Sequence, residues 1–321
     1  MKAAVIHEQG GPDVLRYEDR LDPVPGADDV VIDVEAISIE GGDLLSRRML
    51  PVPGLPHVIG YQAGGRISAV GDNVREFRIG QRVVGFAFSG SHAERFCVPA
   101  HHAFAVPDGL DMSIAATIPV TFGTADDALF AAGQLKAGEA VFIQGGRGGV
   151  GLAAIQLAKA AGATVIATAT AQRCDDLRAF GCDHAIAYDQ QDFAAEIMRI
   201  TGGRGVELAV DMVGGTPEAV SKLISTIAYK GRLSVVGLSS GQAPTVAFWD
   251  IVPKNMSVHG VLFGLEMHTP RAREMLGRHF AAAAEGRLTM PIAAEFPLRE
   301  AAAGHRFAEE SRATGRVLLI P

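Results

Sequence analysis

The chain has 321 residues, 48% hydrophobic and 20% charged, with 38 glycines and 16 prolines. That composition excludes a disordered tail protein or a collagen-like fibre. The net charge of −7, with no cluster of lysine and arginine, leaves no footprint for nucleic acid or anionic lipid. Cys97, Cys174 and Cys182 share no CxxC spacing, so they read as thiols in a reducing compartment and not as a disulfide frame or zinc knuckle. Residues 1–8 turn charged too early for a signal peptide. Apolar runs are broken well short of the roughly 20 residues a membrane span needs. A cytoplasmic protein is expected.

From the start to about residue 119 the pattern is short β-branched or aromatic runs, at 3–7, 30–39, 65–70, 82–88 and 93–98. They are cut by turn chemistry such as Gly10-Gly11-Pro12, Gly71-Asp72-Asn73 and Pro107-Asp108-Gly109. This predicts a barrel-like β domain over 1–119. Beyond it, apolar runs at 140–144, 163–168, 184–188, 206–212, 232–237 and 257–263 alternate with helical stretches at 149–161, 172–180, 192–200 and 216–228. Strands this apolar, joined by crossover helices, predict a doubly wound parallel sheet over 120–263. The tail, 264–321, is read as Ala-rich helix and then a strand at 316–320 that returns to the first domain. The fold class is therefore α/β.

The sharpest local signal is the run 141–151, in which an apolar strand enters the loop Gly145-Gly146-Arg147-Gly148-Gly149-Val150-Gly151 and a helix follows. The spacing Gly146-x-Gly148-x-x-Gly151 in this context marks a dinucleotide site. Glycine lets backbone N–H groups approach a pyrophosphate, and the helix N-terminus adds unpaired donors and partial positive charge. An NAD site carries an acid about 20 residues further on, at the end of the second strand. Here that strand ends Ala167-Thr168-Ala169-Thr170 and Arg173 follows, which favours NADPH over NADH. The competing reading of Arg173 is an exposed residue balancing Asp175 and Asp176.

The chain resembles the medium-chain dehydrogenase/reductases, in the zinc-free quinone oxidoreductase (zeta-crystallin-like) branch. The resemblance spans the whole length. It is carried by Gly10-Gly11-Pro12-Asp13-Val14-Leu15, Val70-Gly71-Asp72-Asn73-Val74, Gly80-Gln81-Arg82-Val83, the glycine loop, Gly181-Cys182-Asp183-His184, Asp211-Met212-Val213-Gly214-Gly215 and Arg312-Ala313-Thr314-Gly315. It implies a GroES-like β domain with the substrate pocket, a Rossmann domain, and an active site in the cleft between them. The implied NADPH contacts are Thr124, Gly148, Gly149, Val150, Thr170, Arg173, Tyr188, Gly237, Phe263 and Arg312, beside Gly146 of the loop. Homodimers or homotetramers joined at the Rossmann sheet edge are implied too.

Zinc-dependent members of that superfamily hold a catalytic zinc with a cysteine from an early loop and a His-Glu pair. In this chain Glu40 stands at the cysteine position, and Tyr61 and Gln62 stand at the pair. Tyrosine and glutamine are poor zinc ligands, and the four-cysteine structural loop is missing. His57, His92, His101 and His102 read as surface or loop residues, and no metal is expected. Without a Lewis acid the easier reaction is hydride transfer from NADPH to a quinone or an α,β-unsaturated carbonyl. A non-enzymatic NADPH-binding scaffold and a zinc-free alcohol dehydrogenase are the alternatives. No acid–base constellation stands out, so Glu40, Asp43 and Tyr61 are weak pocket candidates. Asp126 and Asp127 read as acids at a helix start, or as cleft residues that would make the pocket more anionic. Leu45 stands where quinone-reducing relatives often carry tyrosine.

Overall fold

A computed structural model describes residues 1–310 and 313–321. The chain divides into two compact units, Met1–Val120 with Gly264–Pro321, and Thr121–Phe263.

The first unit holds β1 (Lys2–Ile6), β2 (Leu15–Asp19), β3 (Asp29–Ser38), α1 (Gly41–Arg48), β4 (His57–Val58), β5 (Gln62–Val70), β6 (Arg82–Phe86), β7 (Arg95–Pro99), β8 (Ala103–Ala105) and α2 (Met112–Ala115). The helix α3 (Ile118–Asp126) carries the chain into the second unit. That unit contains β9 (Ala140–Gln144), α4 (Gly149–Ala160), β10 (Thr164–Ala169), α5 (Cys174–Ala179), β11 (His184–Ala187), α6 (Phe193–Ile200), β12 (Val206–Asp211), α7 (Pro217–Ser225), β13 (Ile227–Val235), α8 (Phe248–Ile251) and β14 (Ser257–Gly260). The first unit is completed by α9 (Pro270–Ala284), β15 (Ile292–Pro297), α10 (Ala301–Glu310) and β16 (Arg316–Ile320).

In the second unit all strand pairs are parallel, in the order β11-β10-β9-β12-β13-β14. The order reverses at β9, the first strand, which makes the carboxyl ends of β9, β10 and β12 the natural ligand edge. Phe142, Ile166, Ile186, Val206 and Leu233 of the sheet are buried together with Ile197, Val220, Leu223 and Ile224 of the crossover helices. In the first unit β3 pairs antiparallel with β5, β7 and β16. The α/β class, with a parallel sheet in the second unit and a β-rich first unit, is as expected from the sequence. Among the described residues no helix is long and apolar enough to cross a membrane.

Three local expectations change. β13 begins at Ile227, inside the stretch read as helix. It passes Tyr229-Lys230-Gly231 by a register shift, with Lys230 at φ 60°, so a turn-like tripeptide is a bulge inside a strand. The early loop in which the resemblance places Glu40 leads directly into α1, from Gly41. Its two N-terminal glycines weaken the helical signal, but Glu40 and Asp43 form a reciprocal capping box. Asp126 and Asp127 do not start a helix. The helical stretch begins earlier, at Ile118 with Pro119 in its first turn, and the two acids stand where α3 gives way to a π turn over Asp127–Ala132.

Candidate functional site

The glycine loop sits at the sheet's switch point, and each motif glycine has a different physical reason. Gly145 adopts φ 86°, open to glycine at little cost. A Cβ on Gly146 would press on Ala167 and Leu177 at 3.0 Å. A Cβ on Gly151 would stand 2.3 Å from the Gly145 carbonyl oxygen, so this glycine lets α4 approach the turn. Gly148 is different: its nearest neighbour would be 3.7 Å away, leaving the backbone open to approach. Gly148 is also the N-cap of α4 and offers no side-chain cap, so Gly149 and Val150 begin a helix whose first turn is not capped by a side chain. Thr168 anchors the loop to β10, accepting from Gly145 N through Oγ1 and from Gly146 N through its carbonyl, both at 3.2 Å.

Thr170 and Arg173 follow the end of β10. Among the described residues the buried Thr170 hydroxyl has no hydrogen-bond partner, nor does the buried Oε1 of Gln144 at the end of β9. Two orphaned polar atoms at the ends of adjacent strands fit a polar ligand lying across this edge. The Arg173 side chain is 42% exposed, with Nη1 3.5 Å from Asp176 Oδ2. This is a long, half-exposed pair, so the guanidinium is partly engaged, as the competing reading has it. Tyr188, largely exposed after β11, donates its backbone N–H to Ala169 O at 3.1 Å. That places Thr170, Arg173 and Tyr188 on neighbouring strand ends. Asp189 escaped the sequence reading: it comes from the next strand, and its Oδ1 accepts the Ala171 N–H at 2.9 Å.

Gly237 fits under the end of β12, where a Cβ would meet the Met212 carbonyl at 2.4 Å. Asp211, which ends β12, accepts from Val213 N at 2.8 Å and Gly214 N at 3.0 Å; burial pushes its carboxyl above the usual range. The Phe263 ring is buried against Gly123, next to Thr124 on α3. Arg312 lies outside the described residues.

The other candidates belong to the first unit and converge on Glu40. The β16-β3-β5 register sets Leu318 opposite Ser38, and Ser38 opposite Gln62. Ser38 Oγ donates to Glu40 Oε1 at 2.7 Å, and Gln62 Nε2 donates to the same oxygen at 2.8 Å. Arg316 Nη2 lies 2.8 Å from Glu40 Oε2, an ion pair with side chains 12% and 3% exposed. No sequence pattern marks Arg316 as Glu40's partner, because 276 residues separate them. Asp43 is fully buried and caps the Glu40 N–H through Oδ2 at 2.7 Å. Burial, with the Glu40 charge nearby, pushes its carboxyl well above the usual range. The Tyr61 ring lies over Gly42, where a Cβ would come within 2.2 Å of it. Burial raises the Tyr61 phenol, its hydrogen bond to Ser46 works the other way, and the Asp43 and Glu40 charges raise it further.

The histidines correct one expectation. His92 is no surface residue: it is fully buried and shares a 2.9 Å Nε2–Nε2 hydrogen bond with His305. Among the described residues no group of three or more His, Cys, Asp or Glu is arranged to hold a metal ion.

Residues 26–108 match the family model of the alcohol dehydrogenase GroES-like domain, and residues 149–278 match that of the zinc-binding dehydrogenases. The 2-haloacrylate reductase of a Burkholderia species is 31% identical, over 99% of this chain and 98% of its own. The quinone oxidoreductase of Homo sapiens is 30% identical, over 100% of this chain and 98% of its own. Among solved structures, Escherichia coli quinone oxidoreductase complexed with NADPH superposes with a TM-score of 0.94 at 28% identity, covering 100% of both chains.

Proposed function

The chain belongs to the medium-chain dehydrogenase/reductase superfamily, in its quinone oxidoreductase-like branch, and from that premise we propose a zinc-independent, NADPH-dependent reductase of quinones or α,β-unsaturated carbonyls. The observation that carries it is the backbone cradle at the head of α4, with Thr170 and Arg173 on the adjoining strand end and no acid at the end of that strand itself. When bound, NADPH supplies the hydride, and the acceptor gains one hydride and one proton while NADPH becomes NADP+.

The residues present fit that cofactor. Gly149 and Val150 offer N–H groups and the α4 dipole to a pyrophosphate, while Gly148, whose own N–H goes to the Gly145 carbonyl, leaves the approach open. The Thr170 hydroxyl and the Arg173 guanidinium suit a 2′-phosphate. Asp189, the carboxylate that reaches this strand end from β11, is engaged by the Ala171 N–H. Asp211 orders the 211–214 turn that packs on Gly237.

The zinc-free part of the proposal rests on donor chemistry. Glu40 is committed on both oxygens, to Ser38 and Gln62 on one and to the Arg316 cation on the other. Tyr61 and Gln62 complete no ligand set. Tyr61 is the proton donor we assign, because its phenol carries its proton at neutral pH and can pass it to an enolate or oxyanion more basic than its own phenolate. Asp43 acts as a positioning residue at the head of α1. We further propose a homodimer or homotetramer joined through the outer edge of β14, which among the described residues pairs with no further strand and beside which Tyr229, Val258 and Leu262 are exposed apolar side chains.

The test is steady-state NADPH oxidation against a panel of quinones and enones. Turnover with NADPH well ahead of NADH is expected. Tight NADPH binding with no turnover on any acceptor would overturn the reading in favour of a binding protein.

A further inference from the structure

Arg47, His92 and His305 are buried polar side chains of the first unit that lie outside the Glu40 cluster. All three meet at α10. His305 and Glu309 stand four residues apart on that helix, which puts them on one face. His305 Nε2 shares a 2.9 Å hydrogen bond with His92 Nε2, and Arg47 donates through Nη2 to Glu309 Oε1. Gly304 lets the helix come in close. A Cβ there would stand 2.9 Å from Leu319 of β16 and 3.3 Å from Ile39, the residue before Glu40.

Each contact ends on an element that shapes the surroundings of Tyr61. The His92 ring lies against Gly60, where a Cβ would come within 2.0 Å of its Nδ1. Gly60 holds φ 106° immediately before Tyr61. The segment around His92 is also laced to that turn: His92 N donates to Ile59 O and Ser91 N to Gly60 O, both at 3.1 Å. Arg47 belongs to α1, the helix whose Gly42 faces the Tyr61 ring and whose Ser46 hydrogen-bonds its hydroxyl. The turn that carries Tyr61 and the helix packed on its ring are therefore both tied to one face of α10.

Stability alone does not call for this construction. Two neutral imidazoles that face each other through Nε2 share one proton, one ring donating and the other accepting. An apolar pair of the same size would fill the space without burying ring nitrogens. What the polar pair adds is direction, because a hydrogen bond fixes the separation and orientation of the two rings where apolar packing lets them slide. We infer that His305 and Glu309 are positioning residues for the reaction, and that α10 is a brace setting the Tyr61 hydroxyl where it hands over its proton. The inference rests on the assignment of Tyr61 as proton donor and extends it to the returning tail of the chain.

The experiment uses the full chain with NADPH and either 1,4-naphthoquinone or but-3-en-2-one. It is paired with fluorine NMR of the fluorotyrosine-labelled protein, in which the Tyr61 signal is the one that Tyr61→Phe removes. His305→Leu should lower kcat about tenfold on both acceptors, since a small displacement of a proton donor is costly, and leave KM and the NADPH Kd within about twofold of wild type. It should also shift the Tyr61 signal. His305→Gln, which keeps a hydrogen-bonding group at the ε position, should bring kcat back to within about twofold of wild type. Glu309→Gln loosens α1 from the same helix and should act in the same direction. Glu309 is only partly buried, so this variant carries the test if His305→Leu does not fold. Phe307→Ala is the control: its ring packs on Phe296 from the other face of α10, so it should lower the urea midpoint and leave kcat and the Tyr61 signal in place. Wild-type kcat with an unmoved signal in His305→Leu and Glu309→Gln, or an equal fall of kcat in Phe307→Ala, would overturn the brace. If the wild type binds NADPH and reduces neither acceptor, it is the reductase reading that fails. The Tyr61 signal then decides alone: a shift in His305→Leu and Glu309→Gln but not in Phe307→Ala supports the brace, and no shift overturns it.

Discussion

The two units build their candidate sites from different material. In the second, the working surface is backbone: Gly146, Gly148 and Gly151 are defined by what a Cβ would strike or leave open, and the helix N-terminus supplies the donors. In the first, the working surface is side chains held by other side chains: Glu40 by Ser38, Gln62 and Arg316, and Tyr61 by Phe86 and Phe88. A backbone site is local, so a short run of sequence specifies it. A side-chain site depends on register and tolerates loss poorly, because each partner neutralises or orients another.

The largest expected effect tests that dependence. Arg316→Met leaves Glu40 charged and 3% exposed with no cation, and removing one partner of a buried pair costs about 3–5 kcal/mol. Urea unfolding of the first unit should shift accordingly. The double variant Glu40→Gln with Arg316→Met should recover much of the loss, since it removes both charges and keeps the hydrogen-bonding shape at position 40. A single variant as stable as wild type would show that the pair is not the strut described.

Next comes acid. Burial holds the His92 imidazole down to about 3 in the folded chain, against about 6.5 when unfolded, and His305 is held well below its usual range by burial, by His92 and by Arg47. Arg47 is itself fully buried and paired with Glu309, so a proton on either imidazole would add a second positive charge to the same pocket. The unfolded chain therefore binds these protons first. The stability contributed by the neutral pair is complete above pH 6.5 and falls as the pH drops, by about 3 kcal/mol at pH 4 for His92 alone, and His305 adds to the loss in the same direction. In the second unit His184 is exposed and His259 only partly buried. Hydrogen exchange at pH 4–5 should thus open 1–120 and 264–321 before 121–263. Simultaneous opening, or an unchanged acid slope in His92→Phe, would refute the assignment.

The contrast also explains what was legible. The glycine loop, the alternating strands and helices, and the lack of an acid after Ala167-Thr168-Ala169-Thr170 were all readable, because each is a contiguous pattern with a local physical meaning. The Glu40–Arg316 pair was not. Its members are joined only by the pairing of β16 with β3, which no spacing encodes. The His92–His305 pair failed for the same reason, and a lone histidine gives no sign of burial. α1 was not read from the sequence: Gly41-Gly42 argues against a helix, and the Glu40–Asp43 capping box that starts it shows only in the fold. Asp189 was missed because it reaches the end of β10 from the neighbouring strand.

The smallest expected effect asks whether the backbone site needs a side chain at all to choose its cofactor. On the proposed reading the pyrophosphate cradle is common to NADH and NADPH, so discrimination would fall to Thr170 and Arg173. A charge-assisted contact to a phosphate is worth about 1.5–3 kcal/mol when well ordered. Arg173 is 42% exposed and shared with Asp176 at 3.5 Å, so solvent screening and that competing pair place the expected value at about 1–2 kcal/mol. Arg173→Ala should therefore weaken NADPH about five- to thirtyfold in a fluorescence titration and leave NADH unchanged, and added salt should narrow the gap. Because the cradle itself is untouched, both cofactors must still bind. An equal weakening of the two would mean that Arg173 supports the strand end and does not read the phosphate, moving the choice of cofactor to Thr170 and Tyr188.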